Sequence, residues 1–412
     1  MEGNREQVGR GGKLLVAKGS FGAFGGAERD LVRNIPALAK SFEVTVATLN
    51  PVPELEEECS RLGILLLHPK KAWQMPVDPV SRILDSGSSS ASKAWGECPG
   101  LEEAISKCDA IHLVSGDGSL ELLEMIPSET AVHLYLLEPH RGLYEDVLHR
   151  EIDGTPKRSL RLTKALLTKA RRGDLAAVRS LADKPRSEIS GNSNYTAARI
   201  SEIYGVEAGV LHPSVVTTEF PEQAGPDESM PKEFDGDYVV SVGRGSWVKG
   251  TWETISMLSG TGLAMAHVGG GDEDTLSRLS KHAHDCEVDL WVAPRLSSPE
   301  MASLMRGARA VVSMAHGEPF GLTPIESFSV GTPALFVDEG GFRDSLIDGL
   351  NGRLIARDDT AEWHTWLEKA GDTGIRKQWA EAGRSRIAEL GLSPEDHCSR
   401  LAAIIESIRV DT

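Results

Sequence analysis

Short apolar runs alternate along this chain with longer stretches in which apolar residues recur at helical spacing. The first run, 13–17 (KLLVA), leads into the glycine-rich loop GSFGAFGGAE and then a helical pattern over 28–40, which reads as strand, loop, helix. Further β-prone runs stand at 44–48, 63–67, 110–114 and 130–136, with helix-like segments or polar loops between them. A second set occupies 238–242, 263–268, 288–292, 310–314 and 333–337, with helices at 299–306 and 324–330 and a helical pattern from 362 to 410. Alternation of this kind predicts parallel sheets covered by helices, an α/β class.

Two stretches break the pattern. The segment 81–99, SRILDSGSSSASKAWGECP, has no periodic apolar face and reads as a loop. The acidic, proline-containing segment 217–237 reads as an interdomain linker. A chain of 412 residues exceeds one ordinary core and fits two domains of roughly 200 residues each. The expected division is an N-terminal domain at 1–216, the linker at 217–237, a C-terminal domain at 238–390 and a last helix at 391–412, whose return to the first domain is left open.

Composition narrows the function. With 40% hydrophobic and 25% charged residues the chain is globular, and its formal net charge of −17 argues against binding nucleic acid through its overall surface. Cys59, Cys98, Cys108, Cys286 and Cys398 are scattered and form no C-x-x-C pair, so neither a disulfide framework nor a zinc site is indicated. The polar N-terminal segment MEGNREQVGRGG has no signal-peptide character, and no apolar run approaches the roughly 20 residues that span a bilayer. A reducing cytoplasm is the expected location. Within this acidic chain, 155–186 holds ten Lys or Arg against two Asp, with leucines spaced among them. Two readings stand for it: a helix packed on the sheet with solvated cations, or a peripheral contact with anionic lipid headgroups.

Two segments of the C-terminal half carry candidate chemistry. In VGRGSWVKG, 242–250, Gly243 permits a tight turn after a strand, and Arg244 and Lys249 place two cations at the mouth of the loop. A diphosphate suits them, since Arg offers a planar fork and Lys a point charge. In HGEPFGLTPIE, 316–326, a loop lies between a strand and a helix whose Pro324 suits the first turn. Backbone N–H groups from Phe320 through Gly321 and Leu322 to Thr323 point toward an anion there, aided by the helix dipole. Glu318 and Glu326 flank that position, each able to accept hydroxyl hydrogen bonds from a sugar.

These segments, together with GGAERDLVRNIPALAK near the start, DAIHLVS at 109–115, ISGNSNYTAARISEIYGVEAGVLHPSV at 189–215 and VGGGDE at 268–273, resemble the retaining GT-B glycosyltransferases of family 4, the group 1 enzymes that include bacterial mannosyl- and glucosyltransferases. The resemblance implies two Rossmann-like domains facing across a cleft. It implies transfer of a hexosyl group from a nucleoside diphosphate sugar, GDP-mannose or a UDP-hexose, to a hydroxyl of a sugar, lipid-linked or small-molecule acceptor. By the same resemblance Arg244 and Lys249 hold the donor diphosphate, Glu326 the ribose, and Glu318 the transferred sugar, with backbone contacts from Phe320, Gly321 and Leu322. Gly25 and Gly26 allow close approach of the N-terminal loop to the diphosphate, and His133 stands beside the reacting sugar, ahead of His112. No metal and no resident cofactor is expected. The stretch 136–153 has no counterpart in the pattern, and its His140, Arg141 and His149 read either as acceptor-facing or as solvated residues.

Other chemistries fit less well. VGGGDE lacks the full dinucleotide-binding fingerprint, Ser115 and Ser119 lack a nucleophile-elbow setting, and no H-E-x-x-H occurs. A sugar-nucleotide epimerase, a phosphorylase and a non-catalytic sugar-nucleotide sensor remain as alternatives on the same fold.

Overall fold

The computed structural model describes residues 12–409 apart from 23–24, 77–85, 226–228 and 233. It divides into two compact units: 12–144, 161–214 and 392–409 form the first, and 145–160 with 215–391 form the second. The polar segment 1–11 and the first residues of the serine-rich stretch, 81–85, lie outside the described residues.

The first unit holds β1 (Lys13–Ser20), β2 (Glu43–Asn50), β3 (Leu65–Leu67), β4 (Ala110–Val114), β5 (Ala131–Tyr135), β6 (Ser187–Gly191) and β7 (Gly209–Val210), all parallel in the order β3-β2-β1-β4-β5-β6-β7. Successive residues of β1 enter different cores: Leu15 and Ala17 join one apolar cluster, and Leu14 and Val16 the other. That two-residue alternation, with helices over both faces, is why the strand is an unbroken apolar run. The last helix, Pro394–Arg409, buries Cys398, Leu401, Ile405 and Ile408 in the second cluster, against helix Gly26–Ser41 and β5. It thus belongs to the first unit.

The second unit repeats the architecture with β8 (Tyr238–Val242), β9 (Ala264–Val268), β10 (Leu290–Val292), β11 (Ala310–Ser313), β12 (Ala334–Val337) and β13 (Arg353–Ile355), parallel in the order β10-β9-β8-β11-β12-β13. Both units are therefore doubly wound, Rossmann-like α/β sheets.

Two expectations need correction. Much of the serine-rich segment is helix Ser86–Gly96, because Gly87, Ala91 and Trp95, four residues apart, bury one face and Trp95 Nε1 donates to Gly118 O at 2.7 Å. The stretch 217–237, expected as an interdomain linker, begins with a 3₁₀ turn at Thr217–Glu219, and Arg306 donates to the carbonyls of Pro221 (2.6 Å) and Glu222 (3.0 Å). The first unit is also not the continuous span 1–216, since 145–160 packs with the second unit. The basic region is likewise split, into helices Leu160–Leu166 and Thr168–Ala182. Its leucines do not share one fate: Leu181 is buried while Leu162 is 56% exposed. Among the described residues no helix is long and apolar enough to cross a membrane.

Candidate functional site

In the second unit the sheet order reverses between β8 and β11. Doubly wound sheets bind ligands at the carboxyl ends of their strands beside such a reversal, because the two following loops diverge to opposite faces and leave a crevice. The loops there are 243–250 after β8 and 314–322 after β11. Both candidate segments thus arrive at the expected place. They are tied together by His316 N donating to Val248 O at 2.8 Å. Gly250, at φ +64°, lies against Met314, and a Cβ there would stand 2.0 Å from the Met314 carbonyl oxygen. The turn after β12 closes on the same loop: Gly341 N donates to Glu318 O at 2.7 Å, and a Cβ on Gly341 would meet Pro319 O at 2.1 Å.

At the head of these loops Lys249 Nζ donates to both carboxylate oxygens of Glu318, at 2.9 and 2.7 Å. The two side chains are 33% and 18% exposed, so the pair is partly desolvated yet reachable. The sequence assigned these residues separate tasks; the fold puts them in contact. Behind them runs a network of polar contacts and ion pairs that sequence reasoning missed. His316 Nε2 lies 2.7 Å from Glu253 Oε2, Glu253 Oε1 is 3.0 Å from the Arg357 guanidinium, and Arg357 reaches Glu339 Oε2 at 2.8 Å and Met314 O at 2.7 Å. Burial acts to raise the Glu339 carboxyl, but the hydrogen bond and charge of Arg357, followed by the charge of His316 and the Gly317 backbone hydrogen bond, together hold that carboxyl below its usual range. The network anchors the HGEPFG loop from beneath.

Phe320 is buried, so its phenyl ring belongs to the core. Gly321 follows it, also buried, and Leu322 precedes helix Thr323–Val330. That helix buries Pro324, Ile325 and Ser327 to Val330, and Glu326 is the half-buried acid of its first turn. Arg244 is exposed, and its charge helps hold the Asp272 carboxyl below the usual range, after the larger effects of the Thr275 backbone and hydroxyl hydrogen bonds.

Gly25 and Gly26 belong to the first unit, exposed at the start of helix Gly26–Ser41. Gly25 N donates to Glu28 Oε2 at 2.8 Å, and among the described residues a Cβ on Gly25 would meet only that oxygen, at 3.4 Å. Glu28 also lies 3.2 Å from Lys18 Nζ, which donates to Ser115 O at 2.7 Å. Lys18 is 2% exposed at the carboxyl end of β1, next to that sheet's own reversal between β1 and β4. A lysine directly after the apolar run 14–17 was the available signal for it.

His133 is not placed to touch a ligand within its unit. It sits mid-strand in β5 at 0% exposure, with Nδ1 3.0 Å from His112 Nδ1 and Nε2 3.0 Å from Ser190 Oγ. A strand covered on both faces encloses every side chain, polar ones included. Burial, followed by the charge of His397, pushes His133 down to about 3, and burial lowers His112 well below its ordinary value. His140 and His149 stand in different units, and Arg141 is buried. A cavity of about 760 Å³ lined by Cys108, Asp109, Glu129, Arg186 and Arg409 lies at the amino ends of β4 and β5, the wrong end of the sheet for this chemistry. Among the described residues no cluster of three or more His, Cys, Asp or Glu is placed to hold a metal ion.

Residues 227–386 match the family described as "Glycosyl transferases group 1", so the chain carries a domain of that kind over most of its second unit. It is 33% identical over 132 residues to a D-inositol 3-phosphate glycosyltransferase of Thermobispora bispora, 31% of each chain, and 27% identical over 199 residues to a glycogen synthase of Mycobacterium tuberculosis, 46% of each. The chain thus spans less than half the length of these curated relatives. Anabaena Alr3699/HepE, solved in complex with UDP, superposes with a TM-score of 0.65 over 96% of this chain and 100% of that one at 15% identity. The fold is the GT-B glycosyltransferase fold.

Proposed function

We propose that this protein is a retaining glycosyltransferase that moves a hexosyl group from a nucleoside diphosphate sugar to an acceptor hydroxyl, with the donor held by the second unit and the acceptor by the first. The observation that carries this reading is the Lys249–Glu318 contact at the sheet reversal of the second unit, where two loops distant in sequence bring a cation and a carboxylate to one point. The group 1 domain match covers the same loops, and the UDP complex of the Anabaena protein supports a nucleotide ligand for this fold.

In the reaction the bond between the anomeric carbon and the β-phosphate oxygen breaks, and negative charge develops on the departing diphosphate. Lys249, Arg244 and the amide dipoles at the start of helix Thr323–Val330 would stabilise that charge, a task a metal performs elsewhere. The acceptor oxygen bonds to the anomeric carbon on the same face, and its proton passes to the leaving phosphate. Glu318 would orient the transferred sugar and Glu326 the ribose through hydroxyl hydrogen bonds. The curated relatives suggest a sugar or sugar-like polyol acceptor. Contact of the basic helices with anionic lipid remains a second proposal, for the case of a lipid-linked acceptor.

A thermal-shift screen against UDP, GDP, UDP-glucose and GDP-mannose tests the donor assignment, since a ligand that binds only folded protein raises the melting temperature. The reading expects one base to give a saturable increase. No response to any of the four contradicts it.

A further inference from the structure

The segment 145–160 joins the second unit as a built element whose role the donor site does not by itself explain. Its core is a hairpin: Lys157 N donates to His149 O at 2.9 Å, Glu151 N to Thr155 O at 2.7 Å, and Arg150 bridges Pro156 in antiparallel fashion. The tip is set by Asp153 Oδ1, which accepts from Thr155 N at 2.9 Å and Thr155 Oγ1 at 2.6 Å. Three contacts of different kinds secure it. Ile152 is buried, and Arg278 on helix Glu273–Asp285 grips Glu151 Oε2 at 3.1 Å and Asp153 Oδ2 at 2.9 Å with separate nitrogens. Gly154, at φ +81°, lies against the Trp247 ring so closely that a Cβ would stand 2.6–2.9 Å from three of its carbons.

Trp247 is the link to the site. It opens the 3₁₀ turn Trp247–Lys249, stacks on the His316 ring with centroids 4.8 Å apart, and precedes by two residues the lysine that holds Glu318. A ring fixed against both the hairpin and His316 fixes the spacing of the two loops that carry Lys249 and Glu318.

We propose that the hairpin 149–157 is a positioning brace for the donor site, holding Trp247 so that Lys249 and Glu318 meet in the geometry a nucleoside diphosphate sugar requires. This rests on the donor reading of that site. Arg278, Gly154 and the hairpin carboxylates act through Trp247 and do not touch the ligand themselves. Misplacement of a binding group by an ångström is costly to affinity and turnover, whereas loss of a half-exposed ion pair barely changes stability.

The experiment is calorimetric titration of the full chain with UDP-glucose and GDP-mannose, alongside melting temperatures, for wild type, Arg278→Ala, Arg278→Lys, Gly154→Ala and Arg309→Ala. Arg309 pairs with Asp237 at the far end of β8 and serves as the control for loss of an ion pair. The brace predicts about tenfold weaker binding in Arg278→Ala and Gly154→Ala, an intermediate loss in Arg278→Lys, wild-type affinity in Arg309→Ala, and an Arg278→Ala melting temperature near that of wild type. Unchanged affinity in Arg278→Ala, or an equal loss in Arg309→Ala, overturns it even if Gly154→Ala fails to fold. A wild type that binds neither donor removes the donor reading and the brace together, whereas binding by wild type and all variants alike removes the brace alone.

Discussion

Lys249 Nζ lies within 2.9 Å of both carboxylate oxygens of Glu318, across 69 positions of sequence and between the loops that leave adjacent strands β8 and β11. The pair is partly buried, so each partner depends on the other for compensation of its charge. An arriving diphosphate can take a share of the ammonium, which has three protons to donate.

Replacing Lys249 by Ala removes a cation from the developing phosphate charge and leaves Glu318 uncompensated. Loss of one such stabilising donor costs roughly 10²–10³ in kcat. Glu318→Gln keeps the shape and hydrogen-bonding capacity while removing the charge, and the expectation is a smaller loss than for Glu318→Ala. Steady-state kinetics with the donor identified by thermal shift checks both. Near-normal turnover in Lys249→Ala and Glu318→Ala would sink the site assignment.

The buried pair His112 and His133 makes a pH prediction for the first unit. Both are neutral in the folded chain because burial holds their values below the ordinary 6.5, His133 down to about 3. The unfolded chain therefore binds more protons once the pH falls below about 6.5, and stability declines from there toward pH 3. Each histidine contributes about 1.4 kcal/mol per pH unit where the two states differ by a full proton. Melting temperatures from pH 7 to pH 4 should fall less steeply in His133→Asn than in wild type. Parallel slopes would show that the pair does not govern acid unfolding.

The same histidines show where sequence reasoning reached and where it stopped. The strand ending at Val242, the turn at Gly243 and the loops of Lys249 and Glu318 were legible because each is a local pattern: an apolar run, then glycine, then charge near a helix start. The burial of His133 was not legible, because a motif does not say that the distant helix 394–409 will pack on β5. Helix Ser86–Gly96 was missed because its serines hide a buried face that includes Gly87, Ala91 and Trp95. The hairpin at 149–157 was invisible for a different reason. Its carboxylates find Arg278 at separations of 127 and 125 residues, and no local signal encodes such a pairing.

Assigning the diphosphate to Lys249, Arg244 and backbone dipoles predicts that transfer needs no divalent ion. Turnover should be unchanged after dialysis against excess EDTA and gain nothing from added magnesium or manganese. Activity abolished by EDTA and restored by either ion would contradict that assignment.

The fate of the donor distinguishes transfer from the alternatives. Wild-type protein is incubated with the nucleotide sugar it binds and a panel of sugar and polyol acceptors, and the products are read by NMR at the anomeric carbon. The expected result is release of the nucleoside diphosphate with a new glycoside of the same anomeric configuration as the donor, and its loss in Lys249→Ala. A donor that binds but yields only an epimerised nucleotide sugar, or a glycoside of inverted configuration, would contradict it.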